Sequence, residues 1–405
     1  MLKLEVRPAP SRVMSVASPL LALVVTVVIG VVLFMLLGKD PMRGLYVFFV
    51  EPLKSWYALS ELAMKATPLL LIALGLAVCF RSNVWNIGAE GQFIIGAITA
   101  SGVAMMADAH TGRWIVAAIL VAGALGGMLW AGIVALLRDK ANASEILVSL
   151  MLVYVADMVL SYLVYGPWKD PAGYNFPQTI TFLDSTKVPR LFSGFRVNIG
   201  LVIALLSVGA FWLFMSRVYA GFQLQVGGLA PAAARYAGFS SRKALWTAML
   251  VSGGMAGLAG GLEAAGPLGQ LTPHVPAGYG FAAIIVAFVG RLHPAGTVFS
   301  AVLMSMFYIG GELAQSRLGL PKSLTGVFQG LLLFSLLACD TLIHYRLRWR
   351  VAHPQPGAAA ATGGAHAVPA REGAPRPSLP ATSTDAERAA LATAITPKTT
   401  AEVNA

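Results

Sequence analysis

Residues 80–92 read FRSNVWNIGAEGQ, a polar island of one arginine, two asparagines, a glutamate, a glutamine and two glycines between apolar runs. Two placements satisfy such a stretch. At a bilayer surface, water serves the open backbone, and Gly88 and Gly91 permit a tight turn. Inside a helical bundle, irregular backbone survives only where protein covers it or it lines a cavity, and such breaks point to transport sites. On that second placement Asn86, Glu90 and Gln92 supply the few hydrogen-bonding groups that orient a polar solute. Both placements remain open from the sequence.

Working outward, apolar runs recur near 16–37, 59–79, 89–107, 114–137, 145–165, 199–215, 244–264, 280–291, 294–312 and 323–343. Most approach the roughly 20 residues a helix needs to cross a bilayer, the eighth being short. Hydrophobic residues make up 57% of the chain and charged residues 12%, against about 25% charged in soluble domains, and the mean hydropathy is +0.72. These features predict an all-α polytopic transmembrane bundle of about ten spans. A closed barrel would instead show short alternating segments. The run at 16–37 follows Lys3, Arg7 and Arg12 but is too long for the apolar part of a signal peptide, and GKDP follows it, so it reads as an uncleaved first helix.

The even number of spans, with Arg346, Arg348 and Arg350 after the last run, predicts that both termini are cytoplasmic. The expected division is a cytoplasmic segment at 1–15, a membrane domain at 16–345 and a disordered cytoplasmic tail at 346–405, rich in Ala, Pro, Thr and Gly. The net charge of +11 is spread over short inter-helix loops, which argues for membrane orientation and against nucleic-acid binding. Cys79 and Cys339 close apolar runs and read as packing residues, with no disulfide or metal site implied. There is no GxxxxGK[ST], HExxH or GxSxG motif. The chain is therefore expected to bind no ATP by a phosphate loop and to be no enzyme of these classes.

Other stretches carry candidate roles. In the basic loop 216–243, PAAARYAG offers Pro231 for a first helical turn, good helix formers in Ala232, Ala233 and Ala234, then Arg235, Tyr236 and a terminating Gly238. It reads either as a plain surface helix or as a docking element for a cytoplasmic partner. Gly253, Gly257 and Gly261, with Gly123 and Gly127, have the spacing that lets membrane helices approach closely. Glu61 and Lys65 stand one turn apart and read as a mutual ion pair. Asp157 and Glu263 have no such neighbour in sequence and are either structural or part of a solute path.

Four stretches in order, FRSNVWNIGAEGQFIIGA, ASEILVSLMLVYVADMVLSYLVYGPWKDPAGYNFPQT, APAAARYAGFSSRKALWTAMLVSGGMAGLAGGLEAAG and GYGFAAIIVAFVGRLHPAG, resemble the permease subunits of bacterial nucleoside and simple-sugar ABC importers. The resemblance covers roughly residues 15–345 and implies a multi-pass subunit of the bacterial inner membrane. It implies inward movement of a nucleoside, or a related purine or pentose compound, by alternating access. The implied partners are a second related permease, a cytoplasmic ATPase with tandem nucleotide-binding domains, and an extracytoplasmic solute-binding lipoprotein. ATP would be used by the ATPase, with no cofactor held by this chain, and PAAARYAG would be the coupling helix. The loop at 166–179, GPWKDPAGYNFPQT, looks like the nucleoside branch, with a simple-sugar permease as the alternative. A rival from another class is an ion-coupled carrier or channel that needs no ATPase and depends on Asp157 or Glu263. One position departs from the family pattern: Val153 stands where members often carry an asparagine in the fifth span.

Overall fold

The computed structural model describes residues 2–6, 12–108, 110–192, 194–321 and 323–349. Among them thirteen α-helices follow one another: α1 (Arg12–Leu36), α2 (Pro41–Leu45), α3 (Trp56–Arg81), α4 (Ala89–Met105), α5 (Ile115–Ala141), α6 (Glu145–Tyr165), α7 (Ile199–Arg217), α8 (Tyr219–Leu229), α9 (Pro231–Tyr236), α10 (Ser241–Glu263), α11 (Tyr279–Val289), α12 (Pro294–Leu318) and α13 (Ser323–His344). Each of the ten apolar runs overlaps one of these helices. Eight helices are long and apolar enough to cross a membrane, whereas α4 and α11 are shorter.

Local chemistry sets the helix ends. Ser55 Oγ accepts the Ala58 N–H at 3.0 Å to start α3, and Asn198 Oδ1 accepts the Gly200 N–H at 2.9 Å to start α7. Gly319, in the left-handed region at φ +64°, ends α12. The core is built on α10, which packs against α5, α4 and α3. Its glycines make this possible: a Cβ on Gly257 would collide with the Gly123 carbonyl oxygen and stand 2.8 Å from the Gly127 Cα. Backbone therefore meets backbone between α5 and α10, as the small-residue spacing predicts.

At one end of the bundle the turn after α11 carries Arg291. Its guanidinium grips Asp340 of α13 at 2.6 and 3.0 Å and reaches Ser18 Oγ of α1 at 3.0 Å, while the Ser18 hydroxyl also donates to Asp340. This bidentate pair joins α1, α13 and the α11–α12 turn. Beyond the helices, β1 (Leu2–Val6) pairs antiparallel with β2 (Tyr345–Trp349), Leu2 opposite Trp349 and Val6 opposite Tyr345. The ribbon occupies positions that the sequence reading gave to the terminal segments; the period-two alternation of Leu2, Lys3, Leu4, Glu5 and Val6 is its signal. The remainder of the expected tail, 350–405, lies outside the described residues.

Candidate functional site

The polar island proves to be a break within the bundle. Along α3 the Cys79 thiol donates to the Ala248 carbonyl of α10 at 3.2 Å, and the chain then turns at Asn83, whose φ is +55°. Asn83 and Trp85 are exposed. The chain next climbs back, because Asn86 Nδ2 donates to Ser252 Oγ at 3.0 Å, and Ser252 lies halfway along α10. Helix α4 starts at Ala89, well inside the bundle.

The polar side chains of the island are spent on this geometry. Asn86 and Gln92 are 0% exposed and Glu90 is 3% exposed. The two amides are paired reciprocally, Asn86 Nδ2 to Gln92 Oε1 at 2.9 Å and Gln92 Nε2 to Asn86 Oδ1 at 3.1 Å. Asn86 Oδ1 also accepts the Gly88 N–H at 3.1 Å, and Ser149 Oγ of α6 accepts the Ile87 N–H at 3.2 Å. Backbone that would otherwise be orphaned in an apolar interior is thereby satisfied.

Glu90 has a different partner. Its carboxylate accepts the Gly278 N–H at 2.9 Å and the Gly280 N–H, which are donors at the start of α11. A helix N-terminus has unpaired N–H groups and a positive dipole end, so a buried carboxylate is well placed there. Gly280 must be glycine for the approach, since a Cβ would press on the Ala89–Glu90 backbone. From this meeting point the two helices diverge. Phe288 of α11 stacks on Phe80 at 4.9 Å, beside the end of α3, whereas a Cβ on Gly260 of α10 would meet Phe93 and Ala97 of α4. The eleven residues of α11 span about 16 Å, near half of the roughly 30 Å hydrocarbon layer. Two short helices thus begin face to face around Glu90 at mid-bundle.

The remaining candidates sit apart from one another. Asp157 is half-buried on α6, makes no hydrogen bond or ion pair with the described residues, and acts electrostatically on Glu90. Glu263 closes α10 beside Met64, Thr67 and Asn198, in the fields of Lys65, Arg196 and Glu312. The Glu61–Lys65 pair does not form. Glu61 bonds Arg196 at 3.2 Å and Lys65 bonds Glu312 of α12 at 3.2 Å. Better-placed partners arrive from elsewhere in the chain, which spacing on α3 alone cannot reveal. Val153, the departure from the family pattern, packs directly against Gly91 at the break.

Toward the Glu263 end, the loop 166–198 is held by backbone bonds to 265–271, among them Thr179 N–H to Leu271 O at 3.0 Å and Phe182 N–H to Gly269 O at 2.8 Å. It leaves Tyr174 and Phe176 exposed, and a hydrogen bond from Lys187 holds the exposed Asp184 carboxyl below its usual range. At the opposite end, α9 starts on Pro231 and stops at Gly238, φ +77°, with the Phe239 N–H returning to Ala234 O at 2.9 Å. Tyr236 is 97% exposed, and Arg235 and Lys243 line a cavity of about 350 Å³ between α8, α9 and α10. Helix α8 went unread in the sequence because its three glycines, Gly221, Gly227 and Gly228, look like loop. Gly221 and Gly228 are packing residues: a Cβ on Gly228 would strike the Arg81 carbonyl at the end of α3, and one on Gly221 the Phe214 carbonyl.

A family model described as "Branched-chain amino acid transport system / permease component" matches residues 58–337. The chain belongs to this permease family. It is 31% identical to the glucose ABC transporter permease protein TsgB13 of Haloferax volcanii, over 85% of this chain and 93% of that protein. It is 28% identical to the guanosine ABC transporter permease protein NupP of Bacillus subtilis, over 76% and 89%. A second guanosine permease of that organism, NupQ, is also 28% identical, over 65% and 84%. This permease is accordingly an ABC importer subunit and a multi-pass inner-membrane protein.

Proposed function

We propose that this permease carries nucleosides inward by alternating access, driven by a separate ATPase, and that the chain itself binds no ATP and catalyses no reaction. The observation that carries this reading is the meeting of two short helices at mid-bundle, α4 and α11, around a buried carboxylate. Alternating access needs an element at mid-membrane that can open to either side, and a partner that prefers one arrangement biases the equilibrium. Similarity to two guanosine permeases of one organism supports both the solute class and a second, related permease beside this one. Similarity to a glucose permease supports a simple sugar as the alternative cargo.

In this reading α9 and both termini are cytoplasmic, and the ATPase docks on the exposed, basic surface of Arg235, Tyr236 and Lys243. Its motion reaches the break through α8, whose Gly228 rests on Arg81. The solute-binding lipoprotein delivers cargo at the opposite face, over Tyr174 and Phe176. Asp157 and Glu263 serve the solute path, while Asn86, Glu90 and Gln92 shape it by holding the break. The test uses the reconstituted importer with Arg235→Glu and, separately, Ala234→Pro. The second removes the Ala234 N–H that bonds Ala230 O at 2.9 Å; a proline at Ala233, in the first turn, would remove no helical bond. Each variant is expected to lower uptake by about tenfold or more, the scale of a contact worth 1.4 kcal/mol, while the ATPase still hydrolyses ATP. Uptake at the wild-type rate in both would contradict the docking role.

A further inference from the structure

The geometry points to a solute station within this chain that none of the sequence candidates line: the cleft between α11, α12 and α13, fitted to an uncharged polyhydroxylated ring compound. The inference rests on the import reading and assigns the place where cargo is held. The cleft measures about 530 Å³, inside the roughly 300–1,000 Å³ usual for small-molecule sites. Helix α13 packs chiefly on α1 and touches α12 at Thr325 against Gly311 and Phe328 against Phe307, and the cleft lies beside these contacts.

The lining has the composition of a site that reads hydroxyl groups. Phe281 presents an aromatic surface for a ring, and Tyr308, Glu312, Thr325 and Gln329 bring hydrogen-bonding groups from two helices. Tyr308 donates to the Ala277 carbonyl at 3.1 Å, which fixes its ring at the cleft wall. Gln329 approaches that hydroxyl, so the two polar side chains stand side by side in the cleft wall. Glu312 is held by Lys65 at 3.2 Å, so the wall as a whole is neutral and suits an uncharged cargo.

The glycines of α13 support the same assignment. Gly326 and Gly330 lie one turn apart in the cleft wall, and a Cβ on either would meet nothing within 4 Å. Close packing within this chain, which explains Gly257, does not explain these two. Glycine is less favourable than alanine in a helix interior, and what the two secure here is space. The cleft also touches the mid-bundle junction, because Gly278 lines it while its N–H is held by Glu90. A shift of α11 against α4 would therefore reshape the cleft.

The test measures ATP-dependent uptake of labelled guanosine and labelled glucose by the reconstituted full importer, wild type and Gln329→Ala. It also follows labelling of a Gly330→Cys variant by a small maleimide, with and without each solute. The expected results are a rise in KM of about tenfold for Gln329→Ala, in line with one lost buried hydrogen bond, a changed guanosine-to-glucose ratio, and slower Gly330→Cys labelling in the presence of the transported solute. A wild-type KM and solute ratio in Gln329→Ala, together with labelling indifferent to solute, would overturn the station while leaving the import reading intact. Failure of the wild-type importer to take up either solute with ATP would overturn both.

Discussion

Asn86 and Asp157 illustrate how residues of similar polarity divide between holding the fold and meeting cargo. Asn86 is fully buried and bonded to Gln92, Ser252 and the Gly88 N–H, with no capacity left for a solute. Asn86→Leu orphans the Gln92 amide and the Gly88 N–H, and is expected to cost about 1–3 kcal/mol for the buried group left unpaired. A melt of the purified protein in detergent should show this as a lower Tm; an unchanged Tm would contradict the bracing role. Asp157 is half-buried, with no bonded partner among the described residues. Asp157→Asn should leave the Tm unchanged but raise the uptake KM, and a lower Tm with a wild-type KM would make Asp157 a structural residue instead. The sequence showed that polarity was concentrated at 80–92. It did not show that the polar groups bond one another, because their positions depend on Ser149, Ser252 and Gly278, which are remote in the chain. The same remoteness defeated the expected Glu61–Lys65 pair.

Among the elements, legibility followed the type of signal. Apolar runs and small-residue spacing are local patterns with a direct physical meaning, so the helices and the close-packing role of the glycines in α5 and α10 were readable, though not that these two helices meet. Gly257→Leu tests the latter: its side chain would be driven into the Gly123 and Gly127 backbone, and overpacking of a tight interior costs about 1–3 kcal/mol or more. The expected outcome is loss of membrane-inserted, detergent-stable protein in a fluorescence-detected size-exclusion profile, with Gly330→Leu, which faces open space, as the tolerated control for folding. Equal profiles for the two variants would contradict the packing account. Helix α8 was hidden by its glycines, and the β1–β2 ribbon joins stretches more than three hundred residues apart. PAAARYAG was readable because a proline start and a glycine stop are encoded within eight residues.

At the scale of the whole molecule, the account joins an exposed basic helix at one end to a helix break at the middle and an ordered, aromatic-bearing loop at the other. Composition and run length identified a membrane bundle, whereas the pairing of α4 with α11 needed the fold, since 188 positions separate Glu90 from Gly278. The central claim is that this chain is the ATPase-driven gate for a nucleoside. The most direct measurement is uptake of labelled guanosine by cells carrying the full importer, with and without this chain, in the presence of competing guanosine, glucose or leucine, and after collapse of the proton gradient with ATP maintained. The account predicts uptake that requires this chain, persists without the gradient and is competed by guanosine alone. Uptake independent of the chain, or lost with the gradient while ATP remains, would contradict it; competition by glucose would contradict the nucleoside assignment and favour a simple sugar.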